Sequence, residues 1–214
     1  MSPYFARLKF SDVQLDALRQ IYYKHFDPKM PTDYKGAGTA VFWGENDVWP
    51  DPISAKFIEY TAIRGTVVKE ANSDPLWEVF GDLLPHMSTT SVITKMYGPA
   101  EMCIHKDRDW RPNAIYFPIT VNSDCVSSYY KVGNSDYNQP EKSVPSVVMD
   151  KSKAVEIASY RIDTNAYLTN VHEFHGVKNY DSDPRIAMGW NFKENLSFEE
   201  HFKILDSLNL IDNN

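Results

Sequence analysis

Residues 185–192 read RIAMGWNF. Large apolar side chains (Ile186, Met188, Trp190, Phe192) alternate with Arg185, Ala187 and Gly189. A period of two is that of a β-strand, whose successive side chains point to opposite faces. The large face predicts burial against an apolar layer. The other face leaves room beside an arginine. A buried guanidinium needs an anion to be tolerable. A carboxylate ligand held by two parallel hydrogen bonds meets that need, and so does an ion pair with an acid of the 181–183 loop.

Working outward, the same period runs back to residue 90. The segments SVITKMY, MCIHKD, NAIYFPITV, SSYYKV, AVEIASY, NAYLTN and HGVKN are short, β-rich and separated by Gly, Pro, Asn and Asp. With RIAMGWNF they make about eight strands in roughly 100 residues, a density that predicts a jelly roll or another closed β fold. Helices flank this region. Ser11 and Gln14 form a capping box for a helix over residues 11–26, with Phe10 placed as a hydrophobic staple. A second helix is expected after Asp74, with Pro75 at its first position and Pro85 as its stop. A third follows the capping box of Ser197 and Glu200, with Phe198, Phe202, Leu205 and Leu208 on its apolar face. The expected architecture is mostly β with flanking helices around a double-stranded β-helix, cupin-like core. It forms one domain over residues 1–214: a helical and irregular part at 1–89, the core at 90–193 and a C-terminal helix at 197–209. AVFWG is a possible strand within the Pro- and Gly-rich stretch 28–52, and the polar connection 133–153 reads as a surface loop or lid.

Composition narrows the function. A net charge of −7 with no Lys/Arg block makes nucleic acid a poor partner. Cys103 and Cys125 give neither a disulfide framework nor a zinc spacing, and read as free thiols. The start, MSPYFARLKF, lacks the apolar core of a signal peptide, and no apolar run approaches the roughly 18 residues that cross a membrane. The expectation is a cytoplasmic protein.

Six histidines bear on chemistry. His105 and Asp107, two positions apart at a strand's end, share a face and can bind one metal ion together. His25 and Asp27 have the same spacing but sit where a helix meets Pro28, which suits a solvated helix end. A third ligand is sought in VHEFHGVKNYDSDPR, from His172 or His175. His175 opens a strand, where a returning chain brings a ligand to the first strands of a β roll. Two histidines and a carboxylate make the facial triad of non-haem Fe(II) oxygenases, with three positions left open. The bland alternative gives His105 a surface turn and His175 a place in the core.

His105-x-Asp107, then His175, then Arg185 ten residues on, across eight short strands, resembles the Fe(II)/2-oxoglutarate-dependent oxygenases. The resemblance covers residues 90–193 and is nearest to aspartyl/asparaginyl β-hydroxylase-like proteins, through HGVKN followed by Arg185. It implies a jelly roll, Fe(II) on His105, Asp107 and His175, and 2-oxoglutarate anchored on Arg185 with Thr94. It also implies that Tyr116 contacts the cosubstrate, and that Arg111, Trp110 or Tyr130 could line the substrate side. The expected reaction is hydroxylation of a small molecule or amino-acid side chain by O2, with release of succinate and CO2. The retained Asp107 disfavours a halogenase. The rivals are a non-catalytic cupin-like binding protein, which has no reason to place Arg185, and an accessory protein whose histidines are incidental. A zinc hydrolase lacks a well-placed general base beside the triad.

Overall fold

The structure, a computed structural model, describes residues 2–25, 58–62, 73–96, 99–107, 111–120, 124–138, 146–148, 150–183 and 185–213. Expectations for AVFWG, for the rest of 28–57 and for Trp110 lie outside them.

Two antiparallel sheets face each other. The major sheet contains β1 (Phe5–Leu8), β2 (Ile58–Ala62), β3 (Met87–Met96), β6 (Asn113–Pro118), β11 (Ala166–Asn170) and β13 (Arg185–Phe192). Its order is β1-β11-β6-β13-β3-β2. The minor sheet contains β4 (Ala100–Glu101), β5 (His105–Lys106), β7 (Cys125–Val132), β8 (Tyr137–Asn138), β9 (Ser146–Val148), β10 (Ala154–Arg161) and β12 (His175–Asn179). Its order is β10-β7-β12-β5-β9-β8, with β4 also on β12. Neighbours in the sheets come from distant parts of the chain, as a double-stranded β-helix requires.

The outer face of the major sheet carries the main core. Ile186, Met188, Trp190 and Phe192 of β13 pack there with Ile115 and Phe117 of β6 and Leu168 of β11. The layer expected over the large side chains is helical. It consists of α1 (Asp12–His25), a 3-10 segment (Pro75–His86) and α2 (Phe198–Ser207). Trp77 lies 4.5 Å from Trp190, ring to ring, and Phe80 5.5 Å. Both capping boxes form: Gln14 N donates to Ser11 Oγ, and Glu200 N to Ser197 Oγ. None of the described helices is long and apolar enough to cross a membrane.

Two expectations need correction, and one strand was not expected. The helix after Asp74 is a 3-10 segment that runs through Pro85 to His86, bent at Gly81, where φ is 46°. Only glycine takes that backbone cheaply, and it interrupts the α ladder. The connection 133–153 is not simply a loop. It carries β8 and β9, and Val147 of β9 pairs with His105. Finally, β1 went unanticipated, because four residues with one polar position carry little periodic signal.

Candidate metal centre

The minor sheet brings the two distant histidines together. His105 of β5 and His175 of β12 are direct cross-strand partners, so their side chains share a face, with ring centroids 4.4 Å apart. Asp107 follows two residues after His105, and its backbone N–H donates to Val171 O at 2.7 Å, which fixes the strand's end. One donor atom from each of His105, Asp107 and His175 lies within 4.8 Å of the others.

The imidazoles are oriented alike. His105 Nδ1 is 2.8 Å from Cys103 O, and His175 Nδ1 is 2.9 Å from Glu173 O. A carbonyl oxygen only accepts, so each Nδ1 carries a proton, and in the neutral ring Nε2 is the nitrogen with the free lone pair. Metal-binding histidines are held in this manner. Burial lowers the His175 pKa to about 4, with the neighbouring His105 adding to the effect and Asp107 opposing it. The ring is thus a neutral donor across the physiological range.

Asp107 Oδ1 faces His105 Nε2 at 3.7 Å. Its other oxygen, Oδ2, accepts from Arg111 Nη1 at 2.9 Å. Arg111 also donates through Nε to Asn191 Oδ1 at 2.6 Å and through Nη2 to Tyr116 Oη at 2.9 Å. Arg111 therefore holds the acid rather than simply lining a substrate pocket.

At the far end of the same interior, Arg185 is buried. Its Nε has no hydrogen-bond partner, and among the described residues no carboxylate pairs with it. The ion pair allowed for the 181–183 loop is absent there. Asn179 instead ties that loop, donating to Asp183 O and Met96 O and accepting from Asp181 N. Thr94 is buried on the same face, opposite Ala187 and two positions from Arg185. Tyr116 lies opposite Gly189 at the metal end. The room expected beside Gly189 is filled: a Cβ there would meet Tyr116 Cε1 at 2.9 Å and Arg111 Nη2 at 3.0 Å. Tyr130 follows inward-facing Tyr129 on β7 and so points to the opposite face of the sheet, where it packs with Ile104 and Phe174. His172 is exposed in the turn before β12 and stands outside the group. Sequence reasoning missed Asn191, which a strand pattern marks only as one more polar position, and the network joining it to Arg111.

Fold and site together define a jelly roll whose interior holds a His-Asp-His donor group at one end and, at the other, a buried arginine with no carboxylate partner among the described residues. No protein-family model and no curated protein matches the sequence. Solved structures resemble it distantly. The 2-oxoglutarate-dependent carbocyclase SnoK from nogalamycin biosynthesis is 12% identical over 88% of this chain and 78% of its own, with a TM-score of 0.49. HygX from Streptomyces hygroscopicus, solved with nickel, 2-oxoglutarate and hygromycin B, is 8% identical over 88% and 81%, with a TM-score of 0.45. A prolyl hydroxylase from Trichoplax adhaerens is 15% identical over 89% and 84%, with a TM-score of 0.42. Similarity this distant transfers neither substrate nor activity.

Proposed function

We propose that this chain is an Fe(II)- and 2-oxoglutarate-dependent dioxygenase that hydroxylates a small molecule or an amino-acid side chain. The observation that carries this reading is the buried Arg185 with its unsatisfied Nε, on a strand facing the same interior as the donor group. A dicarboxylate with one end on Arg185 and the other at the metal supplies the missing anion. A non-catalytic cupin-like protein gives Arg185 no such purpose. The nearer likeness to aspartyl/asparaginyl β-hydroxylases is supported only by residues 175–179 and Arg185.

The donor set would fit a divalent first-row metal: two imidazole nitrogens and one carboxylate oxygen, the ligand types such an ion takes. His105, Asp107 and His175 would hold Fe(II), and Arg185 with Thr94 the distal carboxylate of 2-oxoglutarate. When bound, the iron couples decarboxylation of 2-oxoglutarate by O2 to hydroxylation of the substrate, with succinate and CO2 released. The protein's part is positional. Cys103 O and Glu173 O aim the imidazoles, and Arg111 holds the carboxylate.

The test is anaerobic Fe(II) titration with and without 2-oxoglutarate. The expected result is a visible charge-transfer band that requires both. Metal binding with no 2-oxoglutarate-dependent band would favour the binding-protein alternative.

A further inference from the structure

Arg111 stands where it controls how the carboxylate ligand is presented. We infer that Arg111 is a positioning residue that restricts Asp107 to one coordinating oxygen. The inference rests on reading His105, Asp107 and His175 as a metal site.

The geometry is specific. A carboxylate offers two oxygens and can bind a cation through one or both. Here Oδ1 is the oxygen near the imidazole Nε2, and Oδ2 accepts the Arg111 Nη1 bond at 2.9 Å. A charge-assisted bond of that length, made by a guanidinium whose side chain is only 12% exposed, is a strong constraint. Arg111 is itself immobilised. Asn191 of β13 accepts from Nε and Tyr116 of β6 accepts from Nη2, so all three of its nitrogens have a fixed partner. Those two strands are adjacent in the major sheet, whereas His105 and His175 belong to the minor sheet. Arg111 thus ties the carboxylate of one sheet to the framework of the other.

Gly189 belongs to the same device. Its missing side chain gives Tyr116 and Arg111 their places, since a Cβ would come within 3.0 Å of both. The consequence for a bound metal is one protein oxygen instead of two. Three positions of an octahedral ion then stay open. With Asp107 bound through both oxygens, two would remain.

Water-proton relaxation by Mn(II) counts those open positions without turnover and without 2-oxoglutarate, because open positions fill with exchanging water. Wild type should bind Mn(II) and His105→Ala should not. Arg111→Gln should still bind Mn(II), with inner-sphere relaxivity lower by about a third, and Arg111→Lys should recover part of it. Gly189→Ala, which keeps the charge but crowds Arg111 off its position, should show the same loss and serves if Arg111→Gln does not fold. A merely structural role would change the thermal midpoint of the apoprotein and leave relaxivity per bound ion unchanged. Unchanged relaxivity in the folded variants overturns the inference and leaves the metal site standing. Equal Mn(II) binding by wild type and His105→Ala, or none by either, overturns the site reading and this inference with it.

Discussion

Environment separates residues that spacing alone makes equal. His25 precedes a carboxylate by two positions, as His105 does, yet its Nε2 lies 2.7 Å from Asp74 Oδ2, the acid that caps the 3-10 segment. Burial works against ionising Asp74, but bonds from Lys24, His25 and the Leu76 backbone outweigh it and hold the carboxyl below its usual range. That histidine serves the scaffold. Arg185 is the opposite case, a buried charge with no carboxylate partner among the described residues. Removing one member of a desolvated pair costs about 2–5 kcal/mol, or roughly 30- to several-thousand-fold in affinity. Arg185→Ala should therefore weaken 2-oxoglutarate binding by that factor and leave Fe(II) affinity nearly unchanged, as read by equilibrium dialysis. Arg185→Lys should fail similarly, because an ammonium cannot make the bidentate contact. The apoprotein should lose little stability in either variant, since no ion pair of Arg185 among the described residues is broken. Wild-type 2-oxoglutarate affinity in Arg185→Ala would put the anion elsewhere.

Among the elements, the 3-10 segment is the least regular and the most informative. It supplies Trp77, Phe80 and Leu83 to the core from a backbone that bends at Gly81. A Cβ at Gly81 would meet nothing within 4 Å, so crowding is not the issue. The positive φ is. Gly81→Ala should cost about 1–3 kcal/mol from backbone strain alone, read as a lower urea midpoint with an unchanged slope. A neutral result would mean that the bend relaxes without loss of packing. The strands β4, β8 and β9 teach a related point. Each has two or three residues and no periodicity to detect. They exist because β12, β5 and β9 present edges for β4, β9 and β8 in turn, which is a property of the sheet.

At the scale of the whole molecule, two buried histidines couple folding to pH. Burial lowers both His175 and His201 to about 4, and for His201 contacts with Glu194 and Glu200 oppose the shift. His201 stacks on Phe192 at 3.7 Å, joining α2 to β13. The unfolded chain binds these protons near pH 6.5, so between that value and about 4 it holds more protons than the native state. Stability therefore rises with pH across this window and is lost as pH falls through it. The two groups together contribute a few kcal/mol. Urea melts of metal-free protein should show the midpoint falling from pH 6.5 to 4, with a shallower fall in His201→Leu. A midpoint constant down to pH 4 would refute the coupling.

Much of this protein was legible locally. Period-two alternation marked all the longer strands of the core and capping residues marked α1 and α2, because each is a pattern over a few neighbouring residues; the order His105, Asp107, His175, Arg185 pointed to a candidate site, of which the structure brings the first three together. The rest depends on residues distant in sequence. Nothing local says that Arg111 meets Asn191, 80 positions away, that Gly189 is small to admit Tyr116 and Arg111, or that Arg185 meets no acid among the described residues. Strand pairing and sheet packing create those relations, since only the closed sandwich brings the two sheets' inner faces within reach of one another.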